Sequence, residues 1–241
     1  QSRLARLKRN TGSLDEAEKL LIATARNLAD STNGISEFAI RIQVDLADIF
    51  WQQGEYQASK DKLSGLILAA RQIGATELSF VGKNYLARVM ASEGDLDSAQ
   101  LISEDVVGYG ELAWRENPDQ YYNALLELGA VYQRKSRFED AERIFEETML
   151  AMLEIGGEYH PTTLVAMNNL GNIYEQLGFY DDAEPLLEQT LRGMEVAMGL
   201  SHAQTARTRN NLALLHESQG NFREAEPLYD TSYEHIAESL G

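Results

Sequence analysis

Asparagine side chains that recur at a fixed spacing are the strongest candidates for binding chemistry in this chain. Asn168-Asn169 is followed 42 residues later by Asn210-Asn211. An amide side chain offers both donors and an acceptor, so it can bind the main-chain N–H and C=O groups of another polypeptide whatever that polypeptide's side chains are. The spacing therefore predicts a ladder of contacts to a peptide main chain. The alternative is that these amides bond neighbouring helices of the same chain.

Two arginines, Arg88 and Arg207, are candidates for holding a ligand carboxylate, because a guanidinium group binds a carboxylate through paired hydrogen bonds. The alternative is that each is solvated or paired with a nearby glutamate. Together with Tyr85, these two arginines are expected to give selectivity for the bound segment.

No combination of residues predicts catalysis. His160 and His202 occupy the same position 42 residues apart, which is typical of a local helix cap and not of a pair of metal ligands. The chain has no cysteine, which excludes disulfides, thiolate zinc sites and a cysteine nucleophile. Since no set of nucleophile, base and oxyanion donor can be assembled, we expect no enzyme, no metal site and no cofactor.

The charge balance restricts the class of partner. With 38 acidic and 21 basic side chains the formal net charge is −17, which repels the phosphate backbone of nucleic acids. No apolar run is long enough to span a bilayer, and the first residues do not form a signal-peptide pattern. The sequence therefore predicts a cytoplasmic protein that binds a protein or peptide, and neither nucleic acid nor a membrane.

The elements that position these residues are copies of one sequence unit. Its marks are a leucine followed by a small residue, then a large residue, an alanine and a bulky residue three, twelve and sixteen positions after the small one. One copy has Leu170-Gly171, Tyr174, Ala183 and Leu187, and the same marks recur as Leu128-Gly129, Tyr132, Ala141 and Phe145, and as Leu212-Ala213, His216, Ala225 and Tyr229. Small residues let two helices approach closely, and the large ones fill the space beside them.

Apolar residues recur at helical spacing within each copy, and glycines mark the ends of helices. The glycines expected between the two helices of a hairpin are Gly54, Gly94, Gly178 and Gly220, and those expected after its second helix are Gly157 and Gly199. We therefore expect an all-α fold of about six helical hairpins. They form a single domain over 1–241, with limits near 1–34, 35–75, 76–117, 118–159, 160–201 and 202–241.

These marks resemble the tetratricopeptide repeat. The 42-residue length, with His160-Pro161, Asn168-Asn169-Leu170-Gly171 and Ala183-Glu184-Pro185-Leu186, is similar to the longer variety found in kinesin light chains. The resemblance implies a solenoid, a right-handed superhelix of hairpins whose first helices (the A helices) line a concave groove. The tryptophan that is usual in the motif is replaced by Gln43, Lys83, Leu125, Met167 or Arg209.

The resemblance also implies that the second, fifth, sixth and ninth positions of each A helix point into the groove. The candidate partner-binding residues at these positions are Asn84, Tyr85, Arg88, Asn123, Asn168, Asn169, Asn172, Arg207, Asn210 and Asn211. Three arginines balance three carboxylates across the groove positions, so a near-neutral groove is expected on a strongly acidic chain. The groove of kinesin light chains is known for basic residues that accept acidic cargo, and that ligand class is not carried over because this groove lacks the basic excess.

Two hypotheses of function follow. The leading one is a non-catalytic interaction module that binds a peptide or partner protein in the concave groove. The alternative is a regulatory or sensory arm of a larger signalling protein, such as a kinase, an NTPase or a caspase-like protease, acting by intramolecular docking or self-association. No polar capping helix follows Tyr229, Tyr233, Ile236 and Leu240, although a solenoid needs one for solubility. We therefore expect a fragment of a longer protein, or self-association through the uncapped C-terminal helix.

Overall fold

The computed structural model describes residues 14–31, 37–114 and 117–240, and helices account for nearly all of them. No strand occurs within these segments, which confirms the predicted all-α class. The helices are α1 (Leu14–Ser31), α2 (Glu37–Gln52), α3 (Tyr56–Gln72), α4 (Thr76–Glu93), α5 (Leu96–Ala113), α6 (Pro118–Arg134), α7 (Phe138–Gly156), α8 (Pro161–Leu177), α9 (Tyr180–Met198), α10 (Ala203–Ser218) and α11 (Phe222–Leu240). The A helix of the first predicted hairpin, and the side chains of Tyr233, Ile236 and Leu240, lie outside the described residues.

The chain divides into two compact units, Gln1–Val131 and Tyr132–Gly241, and the boundary between them falls inside α6. In the first unit α1, α2, α3, α4 and α5 pack consecutively, and α2 also contacts α4. In the second unit α7, α8, α9, α10 and α11 pack consecutively, and α8 also contacts α10. This is the packing of hairpins in a solenoid, because consecutive helices pair and the A helices of successive hairpins touch.

Glycine, threonine and histidine build the turns between the helices of the second unit. Gly178 follows α8 with a φ of +80°, a conformation that costs glycine little. Between hairpins, Thr163 Oγ1 donates to the carbonyl of Gly157 at 3.0 Å, and His160 Nδ1 accepts from the N–H of Thr162 at 3.3 Å. Both bonds recur in the next such turn, from Thr205 to Gly199 at 2.8 Å and from Gln204 to His202 at 3.2 Å. The repeated histidine is therefore a helix cap, as the sequence predicted.

The predicted packing marks are buried or half-buried in the hairpins, except Tyr229, which is 38% exposed and donates to Glu217 Oε2 at 3.1 Å. A methyl group placed on Gly171 of α8 would lie only 2.7 Å from Cγ of Leu187 on α9, and the Leu187 side chain is buried. In the second hairpin the usual alanine is replaced by Ser59, whose Oγ donates to the carbonyl of Ala47 at 2.7 Å. The buried hydroxyl is thus satisfied. Small residues at these marks set how closely the two helices of a hairpin approach.

Candidate partner-binding face

The predicted asparagines of the second unit lie together on two adjacent A helices. Asn168 and Asn172 are on α8, Asn210 and Asn211 are on α10, and these two helices are in contact. Asn211 Nδ2 donates to Asn168 Oδ1 at 2.9 Å. This bond joins residues from successive hairpins and fixes the orientation of both amide groups. We call these four residues the amide face.

Members of the amide face differ in how much of each side chain reaches solvent. Asn168 is buried, Asn172 and Asn211 are half-buried, and Asn210 is exposed. The neighbouring groove positions add an exposed Arg207 and the apolar Leu214, whose side chain is also exposed. The alternative that the amides bond neighbouring helices holds for Asn168 and Asn211, while Asn172 and Asn210 remain at least partly accessible. The remaining predicted asparagine of this unit, Asn169, is buried.

The predicted arginine of the first unit is held by carboxylates from two other helices. Arg88 on α4 donates from Nε to Glu127 Oε1 at 2.9 Å and from Nη2 to the same oxygen. Its Nη1 lies 3.5 Å from Asp48 Oδ1 on α2. The alternative weighed for Arg88, pairing with nearby acidic side chains, is thus what the structure contains. We call Asp48, Arg88 and Glu127 the ionic cluster.

Two aromatic rings complete the surroundings of Arg88. Its guanidinium carbon lies 5.4 Å from the ring centroid of Trp51 and 5.0 Å from that of Tyr85, both within range of a cation–π contact. The Trp51 indole N–H donates to Ser92 Oγ at 2.8 Å. Burial alone would lower the pKa of Arg88, but the charge and hydrogen bond of Glu127 raise that pKa above its ordinary value. Arg88 therefore stays charged and ties three A helices together.

Sequence reasoning placed the members of the ionic cluster at groove positions without recognising that they pair. A signal was available, because Asp48 and Arg88 occupy the ninth A-helix position of the motif in successive repeats and carry opposite charge. The other two predicted residues of the first unit are Asn84 on α4, which is half-buried, and Asn123 on α6, which is exposed. Asn84 Oδ1 is buried and has no hydrogen-bond partner within the part of the chain that the structure describes.

The structure also shows how arginine is accommodated at the tryptophan position of the last repeat. Arg209, at the usual tryptophan position, is only 2% exposed, and its Nη2 donates to Glu195 Oε1 on α9 at 2.9 Å. Its other terminal nitrogen, Nη1, is buried and makes no hydrogen bond to any described residue. A long cationic side chain therefore fills a space that an aromatic residue usually fills, at the cost of one unsatisfied donor.

Two other kinds of feature, a metal site and a membrane-spanning helix, are absent from the described residues. Among the residues that the structure describes, no three histidine, aspartate or glutamate side chains are grouped so that they could hold a metal ion. Over the same residues, each helix is either too short or too polar to cross a lipid bilayer. The features described so far are thus residues that pack the hairpins, amide groups and ion pairs.

The tetratricopeptide repeat family model matches residues 120–195 and 165–237. No curated protein matches the sequence. Among solved structures, BtubC (BKLC) from P. vanneervenii has a TM-score of 0.66 at 20% identity, with 98% of this chain and 92% of that chain covered. A putative kinesin light chain of P. anserina with nearly identical TPR-like repeats has a TM-score of 0.59 at 22% identity, with 83% and 96% covered.

The fold is also similar to that of NprR, a quorum sensor from B. thuringiensis, in complex with its cognate peptide NprX. The TM-score with that complex is 0.68 at 16% identity, with 99% of this chain and 67% of that chain covered. At such identities the likeness concerns the fold. The family match over residues 120–237, the 42-residue period and the consecutive packing of hairpins agree, and together they identify the chain as a tetratricopeptide repeat protein.

Proposed function

We propose that this chain is a non-catalytic interaction module that binds an extended peptide segment of a partner protein along its A helices. The amide face, on α8 and α10, is the centre of the proposed site. The observation that carries the proposal is the bond between Asn211 and Asn168, which joins amides from two successive hairpins and fixes their orientation. Amides held at repeat spacing suit the repeating N–H and C=O groups of an extended chain.

Residues around the amide face are proposed to add selectivity. Arg207 supplies a cation and Leu214 an apolar contact next to the amides. In the first unit, Asn84, Tyr85 and Asn123 are proposed to contact a partner segment, while Arg88 acts through the ionic cluster that holds its helices. Asn169 is proposed to support the amide face from within, because its side chain is buried. The likeness to NprR, which was solved with a bound peptide, supports this ligand class.

A second candidate function is a regulatory or sensory arm of a larger signalling protein. The observation that favours it is the structural likeness to the quorum sensor NprR, of which this chain covers 67%. Such an arm would dock on its own effector region or self-associate through the C-terminal helix. A catalytic motif in the sequence adjoining residues 1–241 would favour this function. The single-domain organisation and the cytoplasmic location remain predictions from the sequence.

The test uses two exposed or half-exposed amides, because replacing the buried Asn168 would also disturb packing. The chain is screened against displayed random-sequence peptides, and the affinity of one selected peptide is measured by calorimetry. Asn172→Ala with Asn210→Ala removes up to four hydrogen bonds of about 0.5–1.5 kcal/mol each, so a 10- to 100-fold loss of affinity is expected, at roughly tenfold per 1.4 kcal/mol.

The matched control is Gln72→Ala, which removes an exposed amide at the end of α3, and it should leave the affinity unchanged. A second probe is the same peptide with its main-chain nitrogens methylated, which removes the main-chain donors. If the double variant remains folded and binds as tightly as the wild type, or if the methylated peptide binds equally well, the amide face is not the site.

A further inference from the structure

A cavity of about 390 Å³ lies in the second unit, away from the amides of α8 and α10. Its apolar wall comprises Leu164 and Met167 of α8, Val196 of α9, and Tyr159 from the connection between α7 and α8. Val196 is 74% exposed and Tyr159 is 53% exposed. The volume lies within the usual range of ligand pockets, roughly 300–1,000 Å³. Leu164 and Met167 are almost fully buried, so Val196 and Tyr159 provide most of the apolar surface that a partner can bury here.

This cavity belongs to one repeat and is not a by-product of the repeat motif. A methyl group placed on Gly193 would lie 2.5 Å from Leu164 Cδ2, so the two helices approach closely only because this residue is glycine. The residue 42 positions before Gly193 is Ala151, and the residue 42 positions after Tyr159 is Ser201. The preceding repeat therefore has no glycine equivalent to Gly193, and the following repeat has no aromatic residue equivalent to Tyr159.

The charges at the rim are unevenly compensated. Arg192 lies 3.4 Å from Glu188, and Glu195 accepts from Arg209 at 2.9 Å, so these groups largely neutralise each other. Glu158 accepts a hydrogen bond from the Tyr159 phenol, which raises the pKa of that tyrosine. Within the described residues Glu158 forms no ion pair, and it therefore leaves a negative charge beside the apolar wall.

We infer that this cavity receives a bulky apolar side chain from a partner protein in which the next residue is lysine or arginine, with the cation placed beside Glu158. The apolar part is matched by Leu164, Met167 and Val196, and the cation by Glu158 and by the net charge of −17 on the chain. The same net charge disfavours a second copy of this chain as the occupant. The site is separate from the amide face and goes beyond the proposed function.

The test compares two acetylated peptides with Gly-Ser flanks, one with a central Phe-Lys pair and one with Phe-Glu, titrated into the ¹⁵N-labelled chain. The Phe-Lys peptide is expected to bind with a Kd of about 1 mM and to shift the amide signals of Tyr159, Gly193 and Val196. The Phe-Glu peptide should bind about fivefold more weakly, because the loss of an exposed ion pair and the repulsion between two carboxylates together amount to about 1 kcal/mol.

Two variants separate the apolar and charged parts. Val196→Ser shortens the apolar wall without adding a charge, and should weaken binding of both peptides about tenfold. Glu158→Gln should remove the preference for Phe-Lys and retain binding. Asn210→Ala should leave the binding of both peptides to the cavity unchanged. A negative result for the cavity can therefore be distinguished from a negative result for the amide face. The inference is overturned if Phe-Lys shifts only signals of the amide face, shifts none, or keeps its preference in Glu158→Gln.

Discussion

Replacing Arg88 with methionine is the sharpest test of how the first unit is held together. The change leaves the carboxylates of Asp48 and Glu127 close to each other without the cation between them. The side chain of Arg88 is 30% exposed, and those of Asp48 and Glu127 are 9% and 19% exposed. Exposed ion pairs contribute about 0–1 kcal/mol and breaking a buried pair costs about 3–5 kcal/mol, so partial burial predicts a loss of about 2 kcal/mol.

Because of where the two tryptophans lie, this loss of stability can be measured in the first unit. Both tryptophans of the chain, Trp51 and Trp114, lie in the unit Gln1–Val131. Tryptophan fluorescence during urea unfolding therefore reports the free energy of unfolding of the first unit, obtained by linear extrapolation. The control is Lys60→Met, which breaks a partly exposed pair with Glu93 at 2.8 Å and should cost less than about 1 kcal/mol.

A combined variant tests the reason for the loss. If the loss of the cation beside two carboxylates causes it, then adding Asp48→Asn and Glu127→Gln to Arg88→Met should restore most of the free energy of unfolding, because the two negative charges that Arg88 compensates are then removed as well. A cost for Arg88→Met no larger than that of Lys60→Met would refute the role assigned to the ionic cluster. Failure of the neutral triple variant to regain stability would show that the methionine disturbs packing instead.

Two substitutions in the second unit test its packing. Gly171→Ala should lower the free energy of unfolding measured by circular dichroism by about 1 kcal/mol, because the clash with Leu187 outweighs the better helix propensity of alanine; an unchanged or higher value would contradict this. Arg209→Met introduces the residue that Met167 provides in the preceding repeat and leaves Glu195 in contact with solvent. It should be neutral or stabilising by up to about 2 kcal/mol, and a loss of more than 2 kcal/mol would show that the buried cation stabilises the fold.

The helices and their ends were predictable because each depends on few residues at fixed spacing. Gly94 and Gly178 end A helices in the left-handed conformation, as their positions in the repeat predicted. The pairing of Gly171 with Leu187 was also predictable, because both residues are on one hairpin and the distance between their helices follows from their sizes. Local geometry of this kind is repeated in the sequence and can be found there.

The partners of charged groups were less predictable, since each depends on side-chain positions on different hairpins. Arg88 was identified as a groove residue, but its two carboxylate partners are about 40 residues away in either direction, on α2 and α6. The cavity beside Gly193 depends on glycine having no side chain at that position and on the path of the connection between α7 and α8, which contains Tyr159. The cavity does not recur with the repeat, so the 42-residue period gave no indication of it. For the ionic cluster, the opposite charges of Asp48 and Arg88 at equivalent groove positions were the available signal.

The two units divide the chemistry that the sequence assigned to one near-neutral groove. In the first unit Arg88 is bound by two carboxylates within the ionic cluster, which leaves Arg88 committed to its own chain. In the second unit the amide face remains partly accessible. Main-chain hydrogen bonds are common to all extended peptides, so amides alone give affinity without discrimination. Under the proposed function, selectivity then comes from side-chain contacts, and the candidates for these in the second unit are Arg207 and the exposed Leu214 beside the amide face, and the cavity bounded by Val196.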